Sequence, residues 1–453
     1  MTCKLPRLMI AGTHSGCGKT TVTSAVLQEL VERGTVPAAF KCGPDFIDPM
    51  FHTEVIGAPS RNLDLFLCDG DTVRYLLAKH AENAPLAVME GVMGYYDGVA
   101  GTTARASSCD LAVETGTPTV LVLQVKGMSL SAAAALRGFL DFAPNTMQGV
   151  ILNGVSGGMY GFYREIIEQN TGLRVYGYLP QDDAAAISSR HLGLITAAEV
   201  RDLRGRLRRL AELAAQCIDL EGLQSLAQSA PPLCWKPAKR TQASGEPARI
   251  GVARDRAFCF YYEDNFDLLR SLGAELVPFS PLKDTTLPDG LDGLYLGGGY
   301  PELYAGELEA NRTMRESIRA AVQGGMPTLA ECGGFLYLHE RLEGHEMAGA
   351  LPLSAKMEKK LHHFGYVTLT AARDSLLCPK GESIRAHEFH YAASSDAGCA
   401  CMAQKPLQNR AWPCVHASDA LFAGFPHLHF YADPAVAARF VSRCAHYRKE
   451  NAK

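Results

Sequence analysis

The chain has 453 residues, of which 47% are hydrophobic and 20% are charged, as in an ordinary globular protein of two or three domains. Its formal net charge of −4 disfavours binding to nucleic acid or to an anionic membrane. The best apolar stretch, residues 117–125, is too short for a membrane span and predicts a buried strand.

The N-terminus and the cysteines indicate a compartment. The chain enters the apolar run 8–12 almost directly, which leaves no room for a signal peptide. The 14 cysteines are scattered, and none belongs to a C-x-x-C pair. We therefore expect reduced thiols and a cytoplasmic protein.

Short apolar runs alternate with helical patterns through the first half of the chain. Because strands separated by helices are joined by right-handed crossovers, this alternation predicts a mostly parallel sheet. The predicted strands are 8–12, 38–42, 86–90, 120–125, 150–153 and 175–179, the predicted helices include 19–33 and 131–142, and the amphipathic stretch 197–226 predicts a closing helical element.

The pattern is interrupted by a polar segment and then resumes. Residues 227–247 are rich in Pro, Ser, Lys and Gln without periodicity, which predicts a linker between domains at 1–226 and 248–453. The predicted strands of the second domain are 249–253, 275–279, 293–296 and 328–330, and closer spacing from about Tyr366 predicts an antiparallel extension. The predicted fold class is therefore α/β, with two domains.

The first predicted strand leads into a glycine-rich loop and then a helix. The loop residues are Gly12, Thr13, His14, Ser15, Gly16, Cys17, Gly18, Lys19, Thr20 and Thr21. Backbone N–H groups of such a loop can surround phosphate, while Lys19 supplies charge for the β- and γ-phosphates and the Thr20 hydroxyl suits Mg²⁺. A turn that only caps a helix is the alternative. The strand before and the helix after favour a nucleotide site.

Carboxylates follow two other predicted strands, where open α/β sheets bind ligands. Glu90 ends an apolar strand, a costly position unless the carboxylate is coordinated, and Mg²⁺ held with Thr20 would explain it. Asp45 and Asp48 lie in a Pro-flanked loop, and Asp97 lies in a Gly-rich one. These aspartates could position a substrate, and Asp45 could bind metal. Turn chemistry is the alternative, because Asp favours such loops.

These segments carry a family resemblance. The long phosphate loop resembles that of dethiobiotin synthetase, and segments 12–21, 41–52 and 90–98 look like those of the cobyrinic acid a,c-diamide synthase family, as does 189–194. The resemblance implies a P-loop domain over residues 1–226 that activates a carboxylate as an acyl phosphate. It further implies that Lys19, Thr20 and Glu90 hold ATP and Mg²⁺.

A cysteine and two glycines interrupt a strand-to-helix transition in the second domain. Cys332 would lie on a tight turn, where nearby backbone N–H groups favour a thiolate and an oxyanion. A glycine turn after strand 293–296 could also face an oxyanion, so Gly298, Gly299 and Gly333 are the candidates for that role. Inert packing of the thiol and a merely flexible turn are the alternatives.

A histidine near the C-terminus can serve the thiol. His427 lies at an apolar strand end and could take the thiol proton and return it to departing ammonia; a core histidine is the alternative. Cys332, the glycine turn and His427 resemble class I glutamine amidotransferases. Many of these carry an acid two residues after the histidine, but His429 stands there, so we predict a Cys332–His427 dyad.

The resemblance implies an enzyme that amidates the a and c carboxylates of a corrin ring. ATP and glutamine would be co-substrates and Mg²⁺ the cofactor, with no nucleic-acid or membrane partner; a homodimer is left open. One alternative is another tetrapyrrole, hydrogenobyrinic acid or nickel sirohydrochlorin. Another is a nucleotide-switch ATPase with a degenerate glutaminase domain, which the presence of Cys332 and His427 disfavours.

Overall fold

The computed structural model of the protein describes residues 1–185, 197–238, 241 and 247–451, in two compact units, Met1–Ala238 and Lys239–Lys453. Segment 189–194, which carries part of the family resemblance, lies outside the described residues. Of the helices described, none has the length and hydrophobicity that a membrane crossing requires.

A parallel sheet forms the centre of the first unit. The strands described in this unit are β1 (Thr2–Cys3), β2 (Arg7–Gly12), β3 (Ala38–Cys42), β4 (Ser60–Leu63), β5 (Ala87–Glu90), β6 (Thr119–Gln124), β7 (Met147–Asn153), β8 (Arg174–Leu179) and β9 (Leu233–Cys234). The sheet has the order β4-β3-β5-β2-β6-β7-β8, and its neighbouring strands are parallel. Strands β2, β3 and β5 are buried throughout, which explains their continuous apolar sequence.

Helices connect these strands. They are α1 (Lys19–Glu32), α2 (Ile47–Phe51), α3 (Gly70–Ala81), α4 (Ser108–Thr115), α5 (Leu130–Phe142), α6 (Gly157–Thr171), α7 (Ala197–Cys217) and α8 (Leu220–Gln228). Side-chain caps fix two of the starts: Asp69 accepts a hydrogen bond from the Thr72 N–H, and Ser107 accepts one from the Asp110 N–H.

Two expectations for the end of this unit need correction. The closing element is not continuous over 197–226, because Asp219 accepts a hydrogen bond from the Gly222 N–H and begins a new helix, α8. Part of the predicted linker is also ordered, since β9 pairs antiparallel with β1 and the first unit extends to Ala238.

The second unit contains a mainly parallel sheet and two smaller sheets. Its described strands are β10 (Ala248–Ala253), β11 (Ala274–Phe279), β12 (Gly293–Leu296), β13 (Thr328–Glu331), β14 (Arg341–Leu342), β15 (His345–Glu346), β16 (Ser354–Met357), β17 (Phe364–Ala371), β18 (Ser383–Phe389), β19 (Ala392–Ser394), β20 (Cys401–Gln404), β21 (Ala411–Cys414), β22 (His416–Ala417), β23 (Leu421–Gly424) and β24 (His427–Leu428). The main sheet has the order β11-β10-β12-β13-β23-β22, with only β22 antiparallel to its neighbour.

The closer spacing after Tyr366 corresponds to an antiparallel sheet of order β21-β20-β17-β18-β24. A smaller mixed sheet has the order β15-β14-β16-β19. The helices described in this unit are α9 (Glu263–Ser271), α10 (Ala305–Ala310), α11 (Arg312–Gln323), α12 (Gly333–Leu338) and α13 (Pro434–Asn451). Strand β24 matters most for the site, because it brings His427 from the C-terminal region to the antiparallel sheet.

Candidate active sites in the two units

The phosphate loop joins β2 to α1. Gly16 and Gly18 have φ angles of 83° and 96°, a left-handed conformation that glycine adopts without strain. Lys19 begins α1, and its Nζ donates a hydrogen bond to the His14 carbonyl oxygen at 3.0 Å, so the side chain reaches back across the loop. Burial lowers the pKa of Lys19. The predicted loop therefore has the backbone turn and the cation that a phosphate site needs.

Asn153, the last residue of β7, supports the loop. Its Nδ2 donates a hydrogen bond to the Cys17 carbonyl oxygen at 3.0 Å. A Cβ atom at position 18 would collide with the Asn153 amide, and one at position 12 would collide with the side chains of Cys17 and Lys19. Gly12 and Gly18 are therefore required by the close packing of the loop.

A buried ionic cluster lies beside the loop, centred on Lys41 of β3. Its Nζ is 2.8 Å from Glu90 Oε1 and 2.5 Å from Asp48 Oδ2. Thr20 donates its hydroxyl hydrogen to the same Glu90 oxygen at 2.6 Å, and His52 Nε2 lies 3.2 Å from Glu90 Oε2. Lys41 and Glu90 are partners in the register of β3 and β5, which places both side chains at one end of the parallel sheet.

Opposite charges offset the cost of burial in this cluster. Burial alone would raise the pKa of Glu90, but Lys41 and His52 hold it well below its usual range. Burial would likewise lower the pKa of Lys41, but Glu90 and Asp48 raise it above its ordinary value. Burial and the Glu90 charge raise the pKa of Asp48 well above its usual range. Lys41 and Glu90 are therefore both charged at neutral pH.

Thr20 and Glu90 also form a donor set for a metal ion. The Thr20 hydroxyl gives its hydrogen to Glu90, which leaves oxygen lone pairs for a cation. Glu90 Oε2 is buried and faces His52 Nε2 at 3.2 Å. Oxygen donors of this kind fit Mg²⁺. Asp45 accepts a hydrogen bond from the Ile47 N–H at 2.8 Å, and its charge acts on Lys41, so it lies near the cluster without contacting Thr20 in any described hydrogen bond.

Asp97 closes a turn next to the phosphate loop. Its Oδ2 accepts a hydrogen bond from the Gly94 N–H at 2.8 Å, and a Cβ atom at Gly94 would lie 2.9 Å from the Thr13 carbonyl oxygen. The Asp97 side chain is exposed, and its charge opposes the effect of burial on the Lys19 pKa. Of the predicted substrate residues, Asp97 is thus open to solvent and near the loop, while Asp48 is buried against Lys41.

Cys332 occupies a strained turn between β13 and α12. Its φ of 47° and ψ of −100° lie outside the regions that a side-chain-bearing residue prefers, as at nucleophiles on other strand-to-helix turns. The Cys332 N–H donates a hydrogen bond to the Gly424 carbonyl oxygen at 2.8 Å, and Sγ lies 4.0 Å from the Phe389 carbonyl oxygen. Neighbouring strands thus fix the backbone that presents the thiol.

The predicted oxyanion glycines come together beside this cysteine. A Cβ atom at Gly333 would lie 2.9 Å from the Gly299 nitrogen, and a Cβ atom at Gly298 would approach His427 Cε1 to 2.5 Å. These positions therefore have no room for side chains. The backbone of the glycine turn packs between the residue that follows Cys332 and the imidazole.

His427 begins β24 and is 2% exposed. Burial alone would lower its pKa, but a hydrogen bond with Cys332 and the nearby Glu331 carboxylate raise the pKa to about 10. Nδ1 of His427 lies 3.9 Å from Glu331 Oε2. The predicted Cys332–His427 pair is therefore in contact, and the raised pKa favours an imidazolium at neutral pH.

Sequence reasoning missed three residues of these sites: Lys41, His52 and Glu331. Lys41 stands in a predicted strand and in the family segment 41–52, but no role was predicted for it, although a lysine inside an apolar run indicates a buried partner. Glu331 directly precedes the nucleophile, and the same argument applies to a carboxylate at the end of β13. His52 ends the family segment 41–52, but the sequence gave no sign of its role, because its partner Glu90 lies far along the chain.

Comparisons with known families match each unit. A family model described as the CobQ/CobB/MinD/ParA nucleotide binding domain matches residues 8–194, and one described as the CobB/CobQ-like glutamine amidotransferase domain matches residues 249–435. Fold, sites and matches together define a two-domain ligase that joins a P-loop nucleotide-binding domain to a glutamine amidotransferase domain.

Curated relatives cover nearly the whole chain. A protein of Listeria innocua named cobyrinate a,c-diamide synthase is 40% identical over 95% of this chain and 97% of its own length. Proteins with the same name from Thermoplasma volcanium and Priestia megaterium are 40% and 38% identical, and the alignments cover 99% and 98% of both chains, respectively. The chain belongs to the cobyrinate a,c-diamide synthase family.

Proposed function

We propose that this protein uses ATP and glutamine to convert the a and c side-chain carboxylates of cobyrinic acid into amides. The observation that carries the proposal is the presence, in one chain, of Cys332 on a strained turn beside His427 and of a phosphate loop whose Thr20 contacts Glu90. The names of the relatives supply the substrate. The domain division into 1–226, 227–247 and 248–453 is part of the proposal; the first compact unit extends to Ala238 and so includes part of the proposed linker.

The second unit would release ammonia from glutamine. The Cys332 thiolate attacks the carboxamide carbon, and backbone N–H groups of Gly298, Gly299 and Gly333 stabilise the oxyanion. The His427 imidazolium donates its proton to the departing nitrogen as the C–N bond breaks, which leaves a glutamyl thioester. His427, now neutral, takes a proton from water, which attacks the thioester carbon. The C–S bond breaks, glutamate is released, and the Cys332 thiolate and His427 imidazolium are restored.

The first unit would activate the carboxylate. Loop N–H groups and Lys19 bind the β- and γ-phosphates and orient the γ-phosphoryl group for attack by a carboxylate oxygen. Thr20 and Glu90 would hold Mg²⁺, which neutralises phosphate charge when bound. The products are ADP and an acyl phosphate. Ammonia then attacks the acyl carbon and phosphate leaves, so each amide formed consumes one ATP and one glutamine.

Lys41 and the aspartates would help to bind the substrate carboxylate and the metal ion. Lys41 supplies a buried positive charge at the same sheet end as Glu90. Asp97, exposed beside the loop, would position the substrate, and Asp45 would act near the metal. Asp48 would serve mainly by holding Lys41 in place, since its carboxylate lies 2.5 Å from Nζ.

The test is product analysis with purified protein, ATP, Mg²⁺, glutamine and separate tetrapyrrole carboxylic acids. We expect cobyrinic acid to gain two amides by mass spectrometry, with ADP and glutamate formed in step. Amidation of only hydrogenobyrinic acid or nickel sirohydrochlorin would replace the substrate within the same mechanism. ATP hydrolysis with no glutaminase activity and no amide product would instead indicate the nucleotide-switch alternative.

A further inference from the structure

The acid that would orient His427 is missing from its usual place. His429 stands two residues after His427, and its Nε2 lies 3.9 Å from Asp264 Oδ2, on a different carboxylate. The carboxylate that faces His427 Nδ1 belongs to Glu331, the residue immediately before the nucleophile. Because Glu331 is the last residue of β13, the carboxylate enters the site from the strand that leads into the Cys332 turn.

Glu331 is held in a fixed position. It is 2% exposed; its Oε1 accepts a hydrogen bond from the Leu428 N–H at 3.1 Å, and its Oε2 accepts one from the Tyr295 hydroxyl at 3.3 Å. Asn265 supports both donors, since its Nδ2 lies 3.4 Å from the Tyr295 hydroxyl and donates to the Leu428 carbonyl oxygen at 2.8 Å. The carboxylate is therefore tied to the residue next to His427.

His427 is the cationic partner of the Glu331 carboxylate. In the ion pairs of the described residues, Glu331 occurs only with His427. A buried carboxylate without a cation is costly, and an imidazolium at 3.9 Å offsets that cost. Catalytic hydrogen bonds are often long in the absence of substrate and shorten in the reacting complex, so this separation is compatible with a working contact.

We propose that Glu331 is the positioning residue of the glutaminase site. Through Nδ1 it orients the imidazole so that the other ring nitrogen serves Cys332, and its charge stabilises the imidazolium. The reacting unit is then Cys332–His427–Glu331, with the acid supplied from before the nucleophile. This inference rests on the proposed glutaminase chemistry, but it concerns a contact that can be measured without turnover.

The charges around His427 set the direction of the pH effect. Cys332 and Glu331 raise its pKa, while burial opposes them. His387, the register partner of His427, is buried, and its burial, His427 and Lys405 lower the pKa of His387 to about 3, so that ring is neutral and adds no charge near pH 7. Removing the Glu331 charge should therefore lower the pKa at which His427 loses its proton.

The first measurement is alkylation of Cys332 by iodoacetamide, followed by peptide mass spectrometry from pH 5 to pH 10. Glu331→Gln keeps the size of the side chain but removes its charge. We expect several-fold slower alkylation at pH 7, because less imidazolium supports the thiolate. Glu331→Asp, which restores the charge on a shorter stem, should recover part of the rate. An alkylation profile of Glu331→Gln identical to that of the wild type would overturn the proposal.

The second measurement is glutamine hydrolysis. Glu331→Gln should lower kcat by roughly 10²-fold with little change in KM for glutamine, and it should move the alkaline limb of the pH profile to lower pH. Ammonia-dependent amidation should be retained. Equal losses of ammonia-dependent and glutamine-dependent activity, with a lower Tm, would assign Glu331 a purely structural role and overturn the proposal. Failure of the proposed amidation would leave the alkylation result intact, so the two ideas are tested separately.

Discussion

Lys41 and Glu90 form a salt bridge of 2.8 Å across two neighbouring parallel strands, although both side chains are buried. Thr20 of the phosphate loop donates its hydroxyl hydrogen to the same Glu90 oxygen. The loop that would bind phosphate is thus connected directly to a charge pair inside the sheet, and changes at Lys41 should affect both stability and nucleotide chemistry.

Replacing Lys41 by Met removes the ammonium group but keeps an unbranched side chain. It leaves the Glu90 carboxylate buried without its main partner, which typically costs about 3–5 kcal/mol. We expect the free energy of unfolding in urea to fall by that order. Lys4→Met, on the exposed N-terminal segment, is the control, and the double variant Lys41→Met/Glu90→Gln should regain part of the loss. Unchanged unfolding of the single variant would contradict a charged pair.

Cys332→Ala should separate the two nitrogen sources. Without the thiol no glutamyl thioester forms, so glutamine-dependent amidation should be lost, whereas ammonium salts should still support amidation. The measurement is product mass under each nitrogen source. Cys399→Ala, at an exposed cysteine, is the matched control. Loss of both activities in Cys332→Ala alone would assign the thiol a different role.

Lys19→Ala should stop amidation with either nitrogen source. Its ammonium group is the positive charge that the phosphate loop offers to ATP. Removing a group that stabilises charge in a transition state typically lowers kcat by at least roughly 10²-fold, and we expect a loss of that size in the rate of ADP formation. Glutaminase activity should persist in the second unit. Lys4→Ala serves as the control, and ATP-dependent turnover retained by Lys19→Ala would count against the assignment of the loop.

Asp97→Asn should disturb tetrapyrrole amidation more than glutamine hydrolysis. The Asp97 carboxylate is exposed next to the phosphate loop, so the change removes charge without a cavity. We expect a higher KM for the tetrapyrrole or arrest after one amide, detected by mass spectrometry. Asp141→Asn, on the exposed side of α5, is the control. A product profile equal to that of the wild type would exclude Asp97 from the substrate site.

The raised pKa of His427 makes part of the stability depend on pH. Its folded-state value of about 10 exceeds the ordinary 6.5, so the folded protein binds this proton more tightly than the unfolded chain. The resulting stabilisation is fully present below about pH 6.5 and is lost as the pH rises through about 10. The difference in unfolding free energy between the wild type and His427→Gln should therefore shrink over that range. A difference independent of pH would mean that the folded protein holds His427 neutral.

Many strands of the two main sheets, though not β22 and β23, could be predicted because their sequences are mainly apolar; 38–42 and 293–296 match the structure at both ends. Strand β4 was missed, since its sequence Ser-Arg-Asn-Leu is polar and lies at the edge of the sheet. The break between α7 and α8 was also missed, because a single cap at Asp219 interrupts an otherwise continuous amphipathic pattern.

In both candidate sites, the sequence indicated the functional residues that lie on turns. The phosphate loop and the Cys332 turn are contiguous motifs, so each could be interpreted without a fold. Lys41, His52 and Glu331 contact partners that are distant in sequence. Strand register brings Lys41 to Glu90, and the fold brings the other two pairs together. The roles of the aspartates remain predictions, although Asp48 is now seen to pair with Lys41.

The contact between Gly18 and Asn153 limits how this protein can change over evolutionary time. Any larger residue at position 18 would meet the Asn153 amide, and a smaller residue at 153 would free that space but abandon the hydrogen bond to Cys17. Substitutions at the two positions are therefore not independent. Because the φ of 96° at position 18 also strains any residue with a side chain, room made at Asn153 is not enough by itself, and descendants of a common ancestor should keep glycine at position 18.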